Sequence, residues 1–575
     1  MFARANGTTD QAARQTGQDE AVETKDMLLA FAGIFVLNLL LRAFYLRFDF
    51  VNGDEGVRAL TAVRVLEGAR LYADIVTDKP PGTTYFYAAV FALFGRSMTA
   101  VHLASAVWNF ATAVVASLIA SRLYGRRTGL WAALILVFFS TTYLTQDMMA
   151  ANTELLMALP YTAAFYYYVA ASGLGRAKRD SSMAGFVIAG AMTGFATLFK
   201  QVGVFNLAFF AAHEIFSACL DRDKNKGGSI SWIGQAARRG IPRLLLIGAG
   251  FVMVLALFAL WLVISGSFAG FWRNAVVLNL FYISSVPSEL WLRFMIGRTL
   301  GYIFFNAALW ALAVWVVARA IKGVRKKADY ADAIDNRSDL AVTLWGAASL
   351  AAVFAGGRFF GHYFIQVLPA LCILAARGLR LLAARLRAPR RSRKARAAAF
   401  ALAAAVVFSF VRFHQRTAIL AYEAVTGNET HLSQSWGMTV REREAEVVSK
   451  YVSSHLAAGE PLYIWEYALD VYWLTKCQPA SRYLSPYYIT GRFPDAGQKS
   501  ADPGESFWRE ARAHLIEDLK RSRPRMILDV YGRFLELPYP ELVAFVKENY
   551  EYETRVGLAP GRPFFVFRLK ENRQD

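Results

Sequence analysis

The sequence predicts an α-helical polytopic membrane protein with a C-terminal α/β domain. Of its 575 residues, 55% are hydrophobic, 14% are aromatic and only 19% are charged, which is more apolar surface than a soluble protein of this length hides. Apolar stretches such as residues 27–46 and 244–264 are long enough to cross a hydrocarbon core about 30 Å thick. After residue 413 the chain becomes charged, and helix and strand patterns alternate.

Laying the apolar runs across a membrane gives about eleven spans. The predicted spans are residues 27–46, 98–121, 128–145, 153–172, 183–199, 202–219, 243–264, 298–318, 340–355, 359–376 and 398–411. Residues 80–95 are too short for a span, so we expect an interfacial or re-entrant helix there. The predicted domains are a disordered cytoplasmic tail (1–26), a membrane domain (27–413) whose first external loop is 47–97, and an extracytoplasmic α/β domain (414–575).

The net charge of +20 does not indicate a nucleic-acid partner. Lys and Arg residues fall in short linkers between apolar runs, such as "RLYGRR", whereas a nucleic-acid surface is a basic patch on a folded domain. Basic linkers are typical of the cytoplasmic side, so they predict a multi-pass protein of the inner (plasma) membrane with a cytoplasmic N-terminus. The cysteines, Cys219, Cys372 and Cys477, show no disulfide or zinc pattern. Membrane lipids are the expected surroundings, with no nucleic acid.

The C-terminal segment repeats a helix followed by a strand. "REREAEVVSKYVSSHL" has the period of an amphipathic helix and precedes the strand-like "EPLYIWEY". The same order returns in "FWREARAHLIEDLKRSRPRMILDV" and in "YPELVAFVKENY" followed by "PFFVFRLK". Alternating helices and strands predict a small α/β domain.

Ionisable residues gather at the predicted far side of the membrane. They are Asp54 and Glu55 in "NGDEGVRAL", Asp78 and Lys79 in "TDKPPG", Asp147 and Glu154 in "TQDMMAANTELLM", Lys200 in "LFKQVGV", and Arg358 and His362 in "GGRFFGHYF". Each has an ordinary explanation, such as a solvated turn, a snorkelling lysine, a helix cap or a packed histidine. Together, acids and cations at one depth beside hydrocarbon predict a functional site.

A lipid phosphate as leaving group suits this set of residues. The phosphate lies at headgroup depth, and its developing charge needs Lys, Arg or a metal. A carboxylate opposite takes the proton from an attacking hydroxyl. The residues therefore predict glycosyl transfer from a lipid-linked sugar.

The order of these motifs resembles the GT-C glycosyltransferase superfamily. An Asp-Glu pair in the first external loop is followed by an acidic-Lys-Pro-Pro element, an aromatic helix ending in "LFG", an acidic residue after the third span, and "GHYFIQVLPAL". The branch that it resembles is that of protein O-mannosyltransferases and lipid A aminoarabinose transferases. The resemblance covers residues 27–413 and implies the GT-C fold. It also implies an inverting transfer from a polyprenyl-phosphate sugar donor to a hydroxyl on a glycan, lipid or protein.

The resemblance also implies roles for residues of the first external loop. Asp54 matches the general base, with Glu55 beside it as a second catalytic candidate. Asp78 matches a position that is commonly Glu and sometimes holds a metal, and Lys79 matches the phosphate-contacting lysine.

Further roles follow for residues of the later spans. Glu154 matches a second catalytic acid that is usually Asp, and Lys200 and Arg358 match further phosphate contacts. His362 and Tyr363 lie where the family lines the donor cavity. The sequence shows no clear metal-ligand cluster, so a divalent metal ion stays an open cofactor, with Asp78 and His362 as its candidate ligands.

Two other functions stay open on the sequence alone. A transporter or flippase of lipid-linked sugars also has many spans and ionisable residues, but it usually holds them near the midplane, on broken helices in repeated halves. A sensor or scaffold explains the C-terminal domain but not the gathered acids and cations.

Overall fold

The computed structural model describes residues 24–176, 182–222, 229–324, 330–388, 393–428, 430–493, 505–558 and 562–571. The chain divides into two compact units, each made of three segments. The first unit comprises Met1–Ala43, Leu103–Phe258 and Phe294–Gln415, and the second comprises Phe44–His102, Ala259–Arg293 and Arg416–Asp575. Of the predicted tail, residues 1–23 lie outside the described residues.

Helices form most of the described chain. Up to residue 264 they are α1 (Thr24–Arg42), α2 (Gly53–Leu66), α3 (Gly82–Phe94), α4 (Met98–Tyr124), α5 (Arg126–Phe139), α6 (Thr145–Met149), α7 (Thr153–Ser172), α8 (Ala184–Thr197), α9 (Phe205–Arg222) and α10 (Ser229–Ile264). They continue as α11 (Phe268–Phe271), α12 (Leu278–Ser284), α13 (Ser288–Phe305), α14 (Ala307–Val324), α15 (Tyr330–Ala355), α16 (Leu368–Arg387) and α17 (Arg393–Thr426). The last are α18 (His431–Gln434), α19 (Gly437–Ser453), α20 (Leu469–Thr475), α21 (Tyr487–Thr490), α22 (Glu505–Ser522) and α23 (Pro540–Asn549).

The prediction of a polytopic helical membrane protein is confirmed. Among the described residues, six helices are long and apolar enough to span a membrane: Lys25–Arg47, Met98–Tyr124, Gln201–Cys219, Gly240–Ile264, Ile334–Ala355 and Arg393–Thr426. A seventh candidate is the pair Phe268–Ser284 and Ser288–Phe305, which bends by 89°. The remaining helices are shorter or more polar, so the count of about eleven spans stays a prediction.

The predicted span over residues 298–318 is helical on both sides of a one-residue interruption. The chain breaks at Asn306, between α13 and α14. Asn306 is fully buried; its side-chain amide donates to the Tyr302 carbonyl oxygen at 2.9 Å, and its Oδ1 accepts from the Thr142 hydroxyl at 2.5 Å. A buried side-chain amide needs such hydrogen-bond partners, and Asn306 finds them at the interruption between the two helices. Likewise, the predicted span 359–376 begins as a 3₁₀ turn, Gly361–Gln366, before α16.

The short helix predicted near residues 80–95 is present as α3. It has 13 residues, which at about 1.5 Å each gives about 20 Å, less than a bilayer core. Pro81 precedes its first residue, and Gly95 ends it with a φ of 75°, a conformation that a side chain disfavours.

The C-terminal segment contributes a five-stranded sheet to the second unit. Its strands are β1 (Pro461–Trp465), β2 (Gln478–Pro479), β3 (Met526–Val530), β4 (Tyr550–Val556) and β5 (Phe564–Leu569), in the order β2-β1-β3-β5-β4. β1 pairs in parallel with β2 and β3, and β5 pairs antiparallel with β3 and β4. The predicted helix–strand repeats are confirmed, whereas β2 and β4 were not predicted.

The core of this α/β part includes residues from outside the C-terminal segment. Val76, which lies between α2 and α3, and Leu278 of α12 are buried with Trp465, Ile527 and Phe567. The backbone N–H of Val76 also donates to the Arg482 carbonyl oxygen at 2.9 Å. The stretch that leads into Asp78 is therefore anchored in the core of the second unit.

Candidate active site

The predicted site residues form two charge clusters, one in each unit. The Asp78–Lys79 cluster lies in the second unit, and Asp54 and Glu55 belong to the same unit. The Glu154–Lys200 cluster lies in the first unit and also contains Asp147, His362 and Tyr363.

Asp78 is held by three polar contacts. Its Oδ2 accepts from the Lys79 ammonium at 2.6 Å, and its Oδ1 accepts from the Tyr488 hydroxyl at 3.1 Å. The backbone N–H of Asp78 donates to the same Tyr488 oxygen at 2.9 Å, and Tyr487 donates to it at 2.9 Å. Two neighbouring hydroxyls and a buried backbone thus fix the carboxylate that faces Lys79.

Lys79 is held from both sides. Its backbone oxygen accepts from the Tyr72 hydroxyl at 2.8 Å, and the Asn279 amide donates to the preceding carbonyl oxygen, that of Asp78, at 2.6 Å. Its Nζ lies 5.6 Å from the centre of the Tyr282 ring, within the range of a cation–π interaction. The side chain keeps 26% of its surface exposed, so the ammonium can contact a ligand.

Both members of this pair are charged at neutral pH. Burial alone would raise the pKa of Asp78, but the Lys79 ammonium, together with the Tyr487 hydroxyl, outweighs it and lowers that pKa. Burial alone would lower the pKa of Lys79, but the carboxylates of Asp78 and Asp54 outweigh it and raise that pKa. The negative charge of Asp54 therefore helps to raise the pKa of Lys79, a residue of the same unit.

Asp54 lies in the first turn of α2, where a negative charge is favourable. Asn52 caps this helix, its side chain accepting from the Glu55 N–H at 3.2 Å. The Asp54 carboxylate pairs with Arg58, one turn later, at 3.0 Å and keeps 47% of its side-chain surface exposed. It is thus oriented by a cation yet remains open to solvent.

Glu55 has a different setting from its neighbour. It is fully buried, accepts from the Val51 N–H at 2.7 Å, and lies 3.1 Å from His102 Nε2. These contacts tie the start of α2 to the backbone before it and to α4. By fixing the start of α2, they hold the neighbouring residue Asp54 in position.

The Glu154–Lys200 cluster is more enclosed. The Lys200 ammonium donates to Glu154 Oε1, and the Thr153 hydroxyl donates to Glu154 Oε2 at 2.7 Å. His362 Nε2 lies 3.6 Å from Glu154 Oε1, and the Lys200 ammonium lies 3.7 Å from the centre of the Tyr363 ring. Because Glu154 is only 1% exposed, its charge is stabilised by these neighbouring groups of the same unit rather than by solvent.

Two glycines allow the 3₁₀ turn that carries His362 and Tyr363. A Cβ on Gly361 would lie 2.9 Å from the Leu144 Cβ, and the Gly361 N–H donates to Asp147 Oδ2 at 3.1 Å. A Cβ on Gly356 would lie 2.4 Å from the Tyr363 ring. The close approach of backbone to ring and carboxylate requires glycine at both positions.

Arg358 is fully buried in the first unit. Its carbonyl oxygen accepts from Arg298 Nη1 at 2.6 Å, and the Arg298 guanidinium lies over the rings of Phe294 and Phe360. Arg298 was not singled out from the sequence, because an arginine at the first residue of a predicted span is typical of a helix end.

Tyr488, Asn279 and Tyr282 were also missed. Tyr488 lies 410 residues after Asp78, so no local motif joins the two. Aromatic residues occur throughout the chain, and only the tertiary structure shows which few of them contact the site.

The residues present do not form a recognisable metal centre. Among the described residues, no group of three or more His, Cys, Asp or Glu side chains is arranged to hold a metal ion. The oxygens of Asp78 contact Lys79 and Tyr488, and His362 faces Glu154 and Asp147. We therefore derive no step through a metal.

Comparisons with known proteins agree with the predicted resemblance. A family model of dolichyl-phosphate-mannose-protein mannosyltransferases matches residues 78–226, beginning at Asp78. The crystal structure of ArnT from Cupriavidus metallidurans bound to undecaprenyl phosphate superposes with a TM-score of 0.56 at 16% identity, covering 95% of this chain and 98% of that one. The chain has the GT-C glycosyltransferase fold. The apo state of the same ArnT gives a TM-score of 0.54 at 16% identity, covering 94% and 98% of the two chains.

The apo oligosaccharyltransferase of Archaeoglobus fulgidus gives a TM-score of 0.48 at 12% identity, covering 96% of this chain and 75% of that one. No curated protein matches the sequence.

Proposed function

We propose that this GT-C protein is an inverting glycosyltransferase that moves a sugar from a polyprenyl-phosphate donor to a hydroxyl acceptor at the extracytoplasmic face of the membrane. The acceptor hydroxyl belongs to a glycan, a lipid or a protein. The observation that carries the proposal is the fixed Asp78–Lys79 pair together with the exposed carboxylate of Asp54, whose charge helps to raise the pKa of Lys79. The similarity to an ArnT structure that contains undecaprenyl phosphate supports a lipid-phosphate donor.

Lys79 stabilises the leaving phosphate in this proposal. As the bond between the anomeric carbon and the phosphate oxygen breaks, that oxygen gains negative charge, which the Lys79 ammonium neutralises. Asp78 and Tyr488 hold the ammonium in place, so little reorganisation is needed during the reaction.

Asp54 acts as the general base. The acceptor oxygen attacks the anomeric carbon from the side opposite the phosphate, and its proton passes to the Asp54 carboxylate. One displacement inverts the configuration at that carbon. Arg58 orients Asp54, and Glu55 fixes the start of the helix that carries it.

The first unit supplies the remaining roles. We assign Glu154 as the second catalytic acid, Lys200 and Arg358 as further phosphate contacts, and His362 and Tyr363 as residues that line the donor cavity. The close contacts among Glu154, Lys200 and His362 support a shared role.

The decisive test is Asp54→Asn. Transfer of labelled sugar from a polyprenyl-phosphate donor is measured in detergent, with donor binding in parallel. We expect about a 10²- to 10⁴-fold loss of transfer, because asparagine cannot accept the proton, while donor binding persists.

The matched control is Asp74→Asn. Asp74 lies in the same external loop, pairs with Arg70 one turn away at 2.9 Å and is 42% exposed, much like Asp54. We expect Asp74→Asn to transfer normally. Normal transfer by Asp54→Asn removes Asp54 from the mechanism, and movement of intact lipid-linked sugar across vesicles by wild type, without bond cleavage, favours a transporter.

A further inference from the structure

The first unit contains a cavity of about 630 Å³ that none of the proposed roles uses. It lies where α4 ends and α5 begins, beside Arg176 after α7 and the last turns of α16. Glu154 begins α7 and Arg176 follows its end, 20 helical residues or about 30 Å away. The cavity is therefore separate from the Glu154–Lys200 cluster.

The cavity lining is strongly basic. Six arginines line it, Arg122, Arg126, Arg127, Arg176, Arg380 and Arg387, and no Asp or Glu does so among the residues that the structure describes. A cavity of about 770 Å³ in the second unit offers a contrast, because three acids and three bases line it: Glu505, Glu517, Glu541, Arg509, Arg512 and Lys520. The charged residues in the lining of the first cavity are thus all basic, whereas the lining of the second has both signs.

Protein contacts hold the inner arginines in position. Arg176 donates to both oxygens of Asp335, at 3.1 and 3.0 Å, and Arg380 donates to the Tyr124 carbonyl oxygen. Arg122 donates to the Ala170 carbonyl oxygen at 3.3 Å, at the end of α7. The cavity wall is therefore built before any ligand arrives.

Gly125 makes the turn that brings the two sides of the cavity together. Its φ of 104° is unfavourable for residues with a side chain, and a Cβ there would lie 3.4 Å from Arg380 Nη1. Arg126 and Arg127 follow this turn directly and are exposed, as is Arg387 on α16.

The cavity also has an apolar side at membrane-interface depth. α4 is one of the helices able to span the membrane, so its last residues lie near headgroup level. Trp131, Leu379, Ala383 and Ala384 belong to the lining, and Trp131 is 45% exposed. Tryptophan is enriched at this depth, and an apolar wall beside arginines suits a lipid better than a soluble phosphate.

We propose that this arginine cavity binds the headgroup phosphate of an anionic phospholipid from the adjoining leaflet. Guanidinium groups match phosphate oxygens in a bidentate geometry, and basic residues near an anionic leaflet are attracted to its phosphates. The glycerol and upper acyl chains lie against Trp131 and the neighbouring apolar residues of the lining.

The test uses the full-length, delipidated protein in detergent. Binding of phosphatidylglycerol and of phosphatidylcholine is measured by native mass spectrometry for wild type and for R126Q/R127Q/R387Q. The control, R393Q/K394Q/R396Q, removes the same charge from exposed residues at the start of α17, which do not line the cavity. We expect the cavity variant to lose phosphatidylglycerol binding at least about tenfold, with phosphatidylcholine binding unchanged and the control near wild type.

Several outcomes overturn the proposal. Equal losses in the two triple variants indicate general surface charge, and no loss in either shows that the cavity does not bind the lipid. Displacement of the lipid by millimolar inorganic phosphate indicates a soluble phosphate ligand. If the cavity triple does not fold, Arg387→Glu with Arg393→Glu as control gives the same comparison, and unchanged phosphatidylglycerol binding in Arg387→Glu overturns the proposal.

Discussion

The Asp78–Lys79 and Glu154–Lys200 clusters contain the same kinds of residue but differ in how deeply those residues are buried. Each pairs a carboxylate with a lysine whose ammonium lies over a tyrosine ring, at 5.6 Å for Lys79 and 3.7 Å for Lys200. The Lys79 side chain is 26% exposed, whereas Lys200 is 12% and Glu154 only 1% exposed. We infer that the more open pair is the more accessible to a ligand, and that the enclosed pair contributes more to the stability of its unit in addition to its proposed role in the reaction.

The largest expected effect breaks the enclosed pair. Lys200→Ala leaves the Glu154 carboxylate buried without its lysine, which typically costs about 3–5 kcal/mol. We expect a large fall in the free energy of unfolding, measured by chemical denaturation in detergent. Adding Glu154→Gln is expected to restore much of it, and a stable Lys200→Ala protein would contradict the enclosed role.

The same change in the open pair is expected to affect activity more than stability. Lys79→Ala removes the charge that we propose stabilises the leaving phosphate, so we expect about a 10²- to 10³-fold loss in kcat. Lys79→Arg is expected to retain part of the activity, because the charge stays while the geometry changes. Normal turnover by Lys79→Ala would remove it from the mechanism, and severe unfolding would make the two clusters alike.

The contrast between the clusters also explains what the sequence could predict. The charged residues stand out against apolar surroundings, so Asp54, Lys79 and Glu154 could be selected by motif and by depth. Their partners could not, because Tyr488 reaches Asp78 only through the fold of the second unit. The sequence therefore indicates the chemistry, and tertiary structure decides which charges are enclosed.

The secondary structure follows the same rule. Long apolar runs predicted the membrane helices, and helix–strand periodicity predicted β1, β3 and β5. The interruption at Asn306 and its contact with Thr142 were not predicted, because the two residues lie far apart in sequence. β4 was missed because "YEYETRV" is charged and largely exposed, whereas prediction relied on apolar patterns.

A smaller effect is expected from the hydroxyl that holds the open pair. Tyr488→Phe removes the donor to Asp78 Oδ1 and the acceptor of the Asp78 N–H, which costs about 1–2 kcal/mol. We expect about a tenfold lower kcat with donor binding nearly unchanged, because Lys79 stays charged but is less well placed. Tyr483→Phe is the control, since its hydroxyl contacts His514 instead. Equal losses in the two variants would indicate a general packing effect.

The smallest expected effect concerns a carboxylate that lacks a lysine partner, Asp529 at the end of β3. It is 1% exposed and accepts from the Phe534 N–H at 2.8 Å. Burial, with the charges of Glu466 and Glu536, raises its pKa to about 6 from the ordinary 3.8. The folded protein therefore holds the proton more tightly than the unfolded chain.

Stability should consequently fall as the pH rises from about 4 to about 6, and stay lower above that. Asp529→Asn is neutral throughout, so relative to wild type it should gain about 2 kcal/mol between pH 4 and pH 7; the cost of the buried amide is the same at every pH and does not change this gain. Asp74→Asn is the control: the hydrogen bond from Arg70 lowers the pKa of Asp74, so its removal should give no such gain as the pH rises. Thermal unfolding of the three proteins across this range measures the difference. A pH-independent gap between Asp529→Asn and wild type would show that Asp529 is not protonated on folding, and a buried carboxylate in this chain would then stay charged even without a lysine.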